Sequence, residues 1–174
     1  AATRLGIWVT HNPGLVTEDT ADLAMALMLG VARRLRECDA FVRSGEQPWG
    51  LLLKIGQRVS GKTLGLVGGG RIAQAVAQRA AGFGMRLIYT AHRPRRDFEA
   101  RTGARFMEKN ALLATADFVS LHVPLTTETR HYIGRRELEI MPRHAILINR
   151  APPPGLPGSS PPKGRYCRSR SGRV

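Results

Sequence analysis

Long apolar runs are absent from the 174 residues of this chain, and no stretch approaches the length of a membrane-crossing helix. The N-terminus shows no basic-then-apolar signal segment, so the expectation is a soluble, cytoplasmic protein. Cysteine is nearly missing. Cys38 and Cys167 lie far apart with no metal-ligand spacing around them, which argues against a disulfide framework or a metal site. Cys38 is expected to be a small packing residue on a helical stretch. Acids are few, 13 against 27 Lys and Arg, and the net charge of +14 raises the question of nucleic acid. The distribution answers it. Arg150, Lys163, Arg165, Arg168, Arg170 and Arg173 crowd the last stretch, where no acid stands, and the other basic residues are scattered. Aromatic residues make up only 6% of the chain and form no base-stacking platform among basic ones. Nucleic acid is therefore not the expected partner.

What the chain does have is a glycine turn in a telling place. Thr63 to Val67 is an apolar run of strand length that breaks into Gly68-Gly69-Gly70-Arg71-Ile72-Ala73 and then into a helical pattern. That order suits a dinucleotide diphosphate. The first glycine makes a tight turn, the second lets backbone approach the phosphates, and the following helix aims unpaired N–H groups and its positive dipole end at them. Gly68 and Gly70 take the first two places, and Ala73 takes the third, which needs only a small side chain for close helix–strand packing.

Strand and helix patterns alternate along the chain. Ile7 to Val9 reads as a short strand and His11 to Gly14 as a turn. From Thr17, a plausible N-cap, the periodicity predicts one long helix reaching Glu37, with Glu18, Asp19 and Asp22 near its positive end. Its apolar positions run broadly around the axis, which predicts burial on more than one side. Strands are predicted at Leu64–Val67, Arg86–Tyr89, Arg105–Met107, Phe118–Leu121 and Ala145–Ile148, with helices at Ile72–Phe83, Asn110–Thr115 and Arg135–Ile140 and a basic loop after Tyr89. The alternation implies a doubly wound, parallel α/β sheet. Beyond Ala151 the character changes. Prolines at 152–154, 157, 161 and 162 alternate with Gly and Ser, and 152–174 is expected to be a disordered tail.

Four stretches together resemble the nucleotide-binding half of a D-isomer-specific 2-hydroxyacid dehydrogenase, nearest the glyoxylate/hydroxypyruvate reductase branch. They are Gly6–Gly14 with Thr17–Ala24, Gly61–Ile72, Ala116–Thr126, and Ile146–Asn149, in the family's order and spacing. The resemblance implies a Rossmann-like domain over 1–151, incomplete at its C-terminal side, and roles residue by residue. Gly68, Gly70, Arg71 and Ile72 would hold the diphosphate. His122, Val123 and Pro124 would border the adenosine side with Thr129 on the same rim, and Thr20 would face the nicotinamide. It also implies a homodimer through the helix at Glu18–Glu37 and a small 2-hydroxy or 2-oxo acid as substrate.

Either NAD or NADP is open, with NADP favoured by the residues themselves. An NAD-selective site wants an acid about 20 residues after the glycines. Strand Arg86–Tyr89 is instead followed by Thr90-Ala91-His92-Arg93-Pro94-Arg95-Arg96, and the first acid, Asp97, is expected to stand well into the loop. Arg93 can pair bidentately with a 2′-phosphate, unless these arginines are a solvated loop face.

The family's substrate-orienting arginine belongs in an Asn-x-x-Arg-Gly pattern, and here Pro152 and Pro153 stand in those places. The family's catalytic glutamate and histidine fall further on, so no catalytic residue is assigned and the chain is expected to be catalytically incomplete. Read one base later, codons for Arg165 to Val174 permit Gly-Ile-Ala-Gly-Ala-Gly-Val-Asp-Val, so out-of-frame translation or a sequencing error is expected in the tail. A different class of function stays open beside the enzyme: a non-enzymatic dimerising module whose basic tail binds anionic partners.

Overall fold

Short apolar runs form the strands here, and apolar helix faces cover both sides of the sheet they make. The computed structural model describes residues 14–45, 50 and 54–149, so the expected strand at Ile7–Val9, most of the following turn and the tail at 152–174 lie outside the described residues. The described elements are α1 (Thr17–Ala32), α2 (Leu35–Ser44), β1 (Thr63–Val67), α3 (Arg71–Ala81), β2 (Arg86–Thr90), α4 (Arg96–Thr102), β3 (Arg105–Phe106), α5 (Lys109–Thr115), β4 (Phe118–Leu121), α6 (Arg135–Ile140) and β5 (Ile146–Asn149). The strands form one parallel sheet in the order β3-β2-β1-β4-β5. This is a Rossmann-like α/β fold.

β1 is buried along its whole length, as a central parallel strand covered on both faces must be. Leu64 and Leu66 point to the layer shared with α1 and α3, while Val67 joins Leu112, Leu113 and Val119 under α5. Ala73 is fully buried on α3 in the first of these layers. Ala73→Leu is expected to cost about 1–3 kcal/mol through overpacking. A lowered urea midpoint would register it, whereas an unchanged midpoint would mean that the helix stands off the sheet.

The long helix predicted from Thr17 to Glu37 is two helices. Arg34 adopts a left-handed backbone (φ +53°), which ends α1 and redirects the chain into α2, where no residue is buried. Thr17 is not the N-cap either. Val16 holds that position without a side-chain hydrogen bond, and the Thr17 N–H donates to the Gly14 carbonyl at 3.0 Å. The acids at the start of α1 do more than meet its dipole. Glu18 and Asp22 both bind the Arg79 guanidinium of α3, clamping the two helices together. Burial is on one side: Ala21, Ala24, Met25 and Met28 face the core, while Leu23 and Leu27 remain exposed. Cys38 lies half-exposed on α2 as a free thiol, so it packs into no core.

At the edge where the strands begin, Asp117 just ahead of β4 ties the sheet together. Its carboxylate accepts the Thr63 N–H (2.9 Å), lies 2.9 Å from His144 Nε2 and faces Lys62 Nζ at 3.6 Å. Burial alone would raise this carboxyl, but the Thr63 amide, His144 and Lys62 outweigh it and hold the group below its ordinary value.

Candidate functional site

Parallel strands end together, so the C-terminal ends of β2, β1 and β4 open onto one crevice at the point where the winding reverses. Gly68 makes the turn out of β1. Its N–H donates to the Thr90 carbonyl at the end of β2 (2.8 Å), and its backbone has φ +111°. A Cβ at Gly68 would lie 2.7 Å from the His122 carbonyl oxygen at the end of β4. Only glycine fits between those two strand ends. Gly70 is the N-cap of α3, where no side chain caps the helix, and nothing lies within 4 Å of the place a Cβ would take. Backbone amides at the start of α3 can therefore be approached closely, which is what a diphosphate requires.

The crevice is a cavity of about 900 Å3, within the range of small-molecule sites. Its walls are the glycines 68–70, residues 91–97 after β2, and His122-Val123-Pro124 after β4. It thus brings together Gly68, Gly70, Arg93, His122, Val123 and Pro124 of the residues singled out from sequence. The others stand elsewhere. Arg71 opens α3 with its guanidinium directed toward Gly14, and Ile72 packs part-buried against the core. The Thr129 hydroxyl binds the Pro124 carbonyl and receives the Thr126 N–H, so it braces the rim from behind. Thr20 is buried on α1 and does not line the crevice.

His122 meets the cavity as a neutral ring. Burial pulls its imidazole down to about 4, so it carries no charge near pH 7. The ring lies 2.9 Å from the Ser120 hydroxyl, while its main chain does the positioning: the N–H donates to Val67, and the carbonyl covers Gly68.

Sequence reasoning gave Tyr89 and Arg95 no role and set Asp97 aside as too far along the chain. Asp97 is not in a loop but in the first turn of α4, with its carboxylate 2.8 Å from Arg95 Nη2. The Arg95 hydrogen bond holds that carboxyl below its ordinary value. The acids Asp97 and Glu99 close together after the basic run are a first-turn signal that was available in the sequence. Arg95 Nη1 also donates to the Gly69 carbonyl at 3.0 Å, so this side chain crosses from the end of β2 to the glycine turn. Among the described residues no group of three His, Cys, Asp or Glu side chains is placed to hold a metal ion, and no helix is long and apolar enough to cross a membrane.

Comparison with known proteins agrees with this geometry. Residues 25–152 match the family model for the D-isomer specific 2-hydroxyacid dehydrogenase, NAD binding domain. The glyoxylate reductase of Thermococcus litoralis is 53% identical over 153 residues, which are 85% of this chain and 46% of that protein. That of Korarchaeum cryptofilum is 51% identical over 150 residues, 85% of this chain and 45% of the relative. The crystal structure of the TT0316 protein from Thermus thermophilus superposes with a TM-score of 0.81 at 49% identity, covering 86% of this chain and 47% of that one. The chain thus spans about half the length of the relatives it matches.

Proposed function

Since the chain belongs to the D-isomer-specific 2-hydroxyacid dehydrogenase family and carries its NAD-binding domain, we propose that it serves a cytoplasmic oxidoreductase of small 2-oxo or 2-hydroxy acids, with NADP preferred to NAD. The relatives named as glyoxylate reductases favour a short 2-oxo acid of the glyoxylate class. A bound nicotinamide would donate or accept the hydride. The residues of this chain bind and orient. Gly68, Gly70 and the α3 amides at Arg71 and Ile72 would take the diphosphate, with the dipole of an eleven-residue helix behind them. His122, Val123 and Pro124 would flank the adenosine, steadied by Thr129, and Thr20 would lie on the nicotinamide side.

The preference for NADP rests on the charge around the crevice after β2. Arg93, Arg95 and Arg96 line it against a single acid, Asp97, whose carboxylate is already engaged by Arg95. A second copy of the chain is part of the proposal, because Leu23 and Leu27 stay 41% and 37% exposed on α1. Those two leucines are also what the alternative, a purely dimerising module, would rest on.

The observation that carries the reading is the Gly68 turn, pinned between β2 and β4 beside an uncapped helix. Calorimetric titration of the purified chain tests it. NADPH is expected to bind with NADH about tenfold weaker, a difference of about 1.4 kcal/mol. No heat with either nucleotide would sink dinucleotide binding and leave the dimerising module. Equal affinities would end the preference alone.

A further inference from the structure

We infer that Arg95, rather than Arg93, is the side chain that reads the 2′-phosphate, that the buried hydroxyl of Tyr89 positions it, and that Asp97 is the carboxylate the phosphate must displace. The inference rests on the proposed use of the crevice for NADP and names the specificity device within it.

Three arginines line this wall, and only Arg95 is fixed. Arg93 and Arg96 are exposed and have no ion-pair or hydrogen-bond partner among the described residues. Arg95 is held at both ends. Its backbone N–H donates to the Tyr89 hydroxyl at 2.6 Å, and that hydroxyl in turn donates to Glu99 Oε1 at 3.0 Å. The Tyr89 ring cannot drift. It is fully buried on β2, with the Phe98 ring centroid 4.7 Å away and Phe106 edge-on at 5.6 Å. One phenol oxygen therefore joins β2, the N-cap residue of α4, and the body of that helix.

The guanidinium, though exposed, has partners of its own. Nη1 donates to the Gly69 carbonyl, and the Arg95 Cδ lies 3.2 Å from where a Gly69 Cβ would stand. Arg95 consequently spans the gap between the end of β2 and the glycine turn, the region where the adenosine ribose of a dinucleotide lies in this kind of fold. A guanidinium presenting a planar fork there suits a phosphate dianion, and a preorganised fork loses less freedom on binding than a mobile one. Asp97 occupies part of that fork through Nη2 and Nε. A 2′-phosphate would take its place at Arg95, while an unphosphorylated ribose can leave the pair intact and offer its hydroxyls to the Asp97 carboxylate. The same two residues thus accept either cofactor, and their balance sets the ratio.

Dissociation constants for NADPH, NADH and adenosine 2′,5′-bisphosphate, measured by calorimetry on the full chain, test this. Arg95→Gln should weaken NADPH and the bisphosphate about tenfold or more and leave NADH within about twofold. Tyr89→Phe keeps the ring packing and should weaken NADPH several-fold through a loosened Arg95, again sparing NADH. Asp97→Asn should tighten NADPH and loosen NADH, an opposite pair of shifts that a merely structural role would not produce. Arg93→Gln should cost NADPH no more than about threefold, as a distant exposed charge does. If Arg93→Gln collapses the ratio and Arg95→Gln does not, the inference is overturned while the NADP preference stands. Equal affinities in the unsubstituted chain overturn that preference whatever the variants do. Arg95 itself is overturned if Arg95→Gln leaves NADPH and the bisphosphate unchanged.

Discussion

Gly68→Ala is expected to lose both stability and dinucleotide binding, while Gly70→Ala loses binding alone. At Gly68 an added methyl meets the His122 carbonyl oxygen at 2.7 Å and its carbon at 3.0 Å, in a backbone conformation (φ +111°) that side chains avoid. The neighbours cannot give way, because Gly68 is bonded to Thr90 and His122 to Val67 across adjacent strands. Left-handed strain and overpacking together make about 3 kcal/mol, or a fall of about 10 °C in Tm for a domain of this size. Displacing the turn also moves the amides aimed at the diphosphate, and each charge-assisted hydrogen bond lost there is worth about 1.5–3 kcal/mol, so NADPH affinity should fall at least tenfold. Gly70 has φ −81° and open space around its missing Cβ, so alanine there should leave Tm within a degree or so while its methyl intrudes on the approaching ligand. Differential scanning fluorimetry with and without NADPH separates the two. Unimpaired binding by Gly70→Ala would mean that no ligand comes close to that backbone.

The second large effect lies at the other edge of the sheet. Asp117→Ala is expected to destabilise the chain by about 3 kcal/mol, since it strands the Thr63 N–H and leaves Lys62 without its carboxylate. The pH dependence has a definite sign. The folded carboxyl titrates below its unfolded counterpart, so its contribution is complete above about pH 4 and disappears as the pH falls through the folded value. Urea midpoints should therefore differ most near neutrality and converge in acid. A gap between native and Asp117→Ala chains that persists undiminished at about pH 2 would contradict the assignment.

The sheet was readable in the sequence because β1, β2, β4 and β5 are mostly apolar runs of strand length, and a buried parallel strand has little polar face to confuse the pattern. The glycine turn was readable for a related reason: its chemistry is local. The break at Arg34 was not, since apolar and basic residues keep helical spacing across it and an arginine carries no mark of a left-handed backbone. Helix α4 hid behind its charge, with Phe98 as its only buried residue. Asp97 looked too distant along the chain to matter, and α4 folds it back onto Arg95. The role of Tyr89 was invisible because strand propensity explains a tyrosine on β2 without any use for its hydroxyl.

Asp117 and the Arg95 pair sit at opposite mouths of the same sheet, and no hydrogen bond or ion pair joins them among the described residues. Perturbations that share no partner add rather than interfere. Redesigning which coenzyme the molecule accepts should thus leave its acid resistance untouched, and hardening it against acid should not alter that choice.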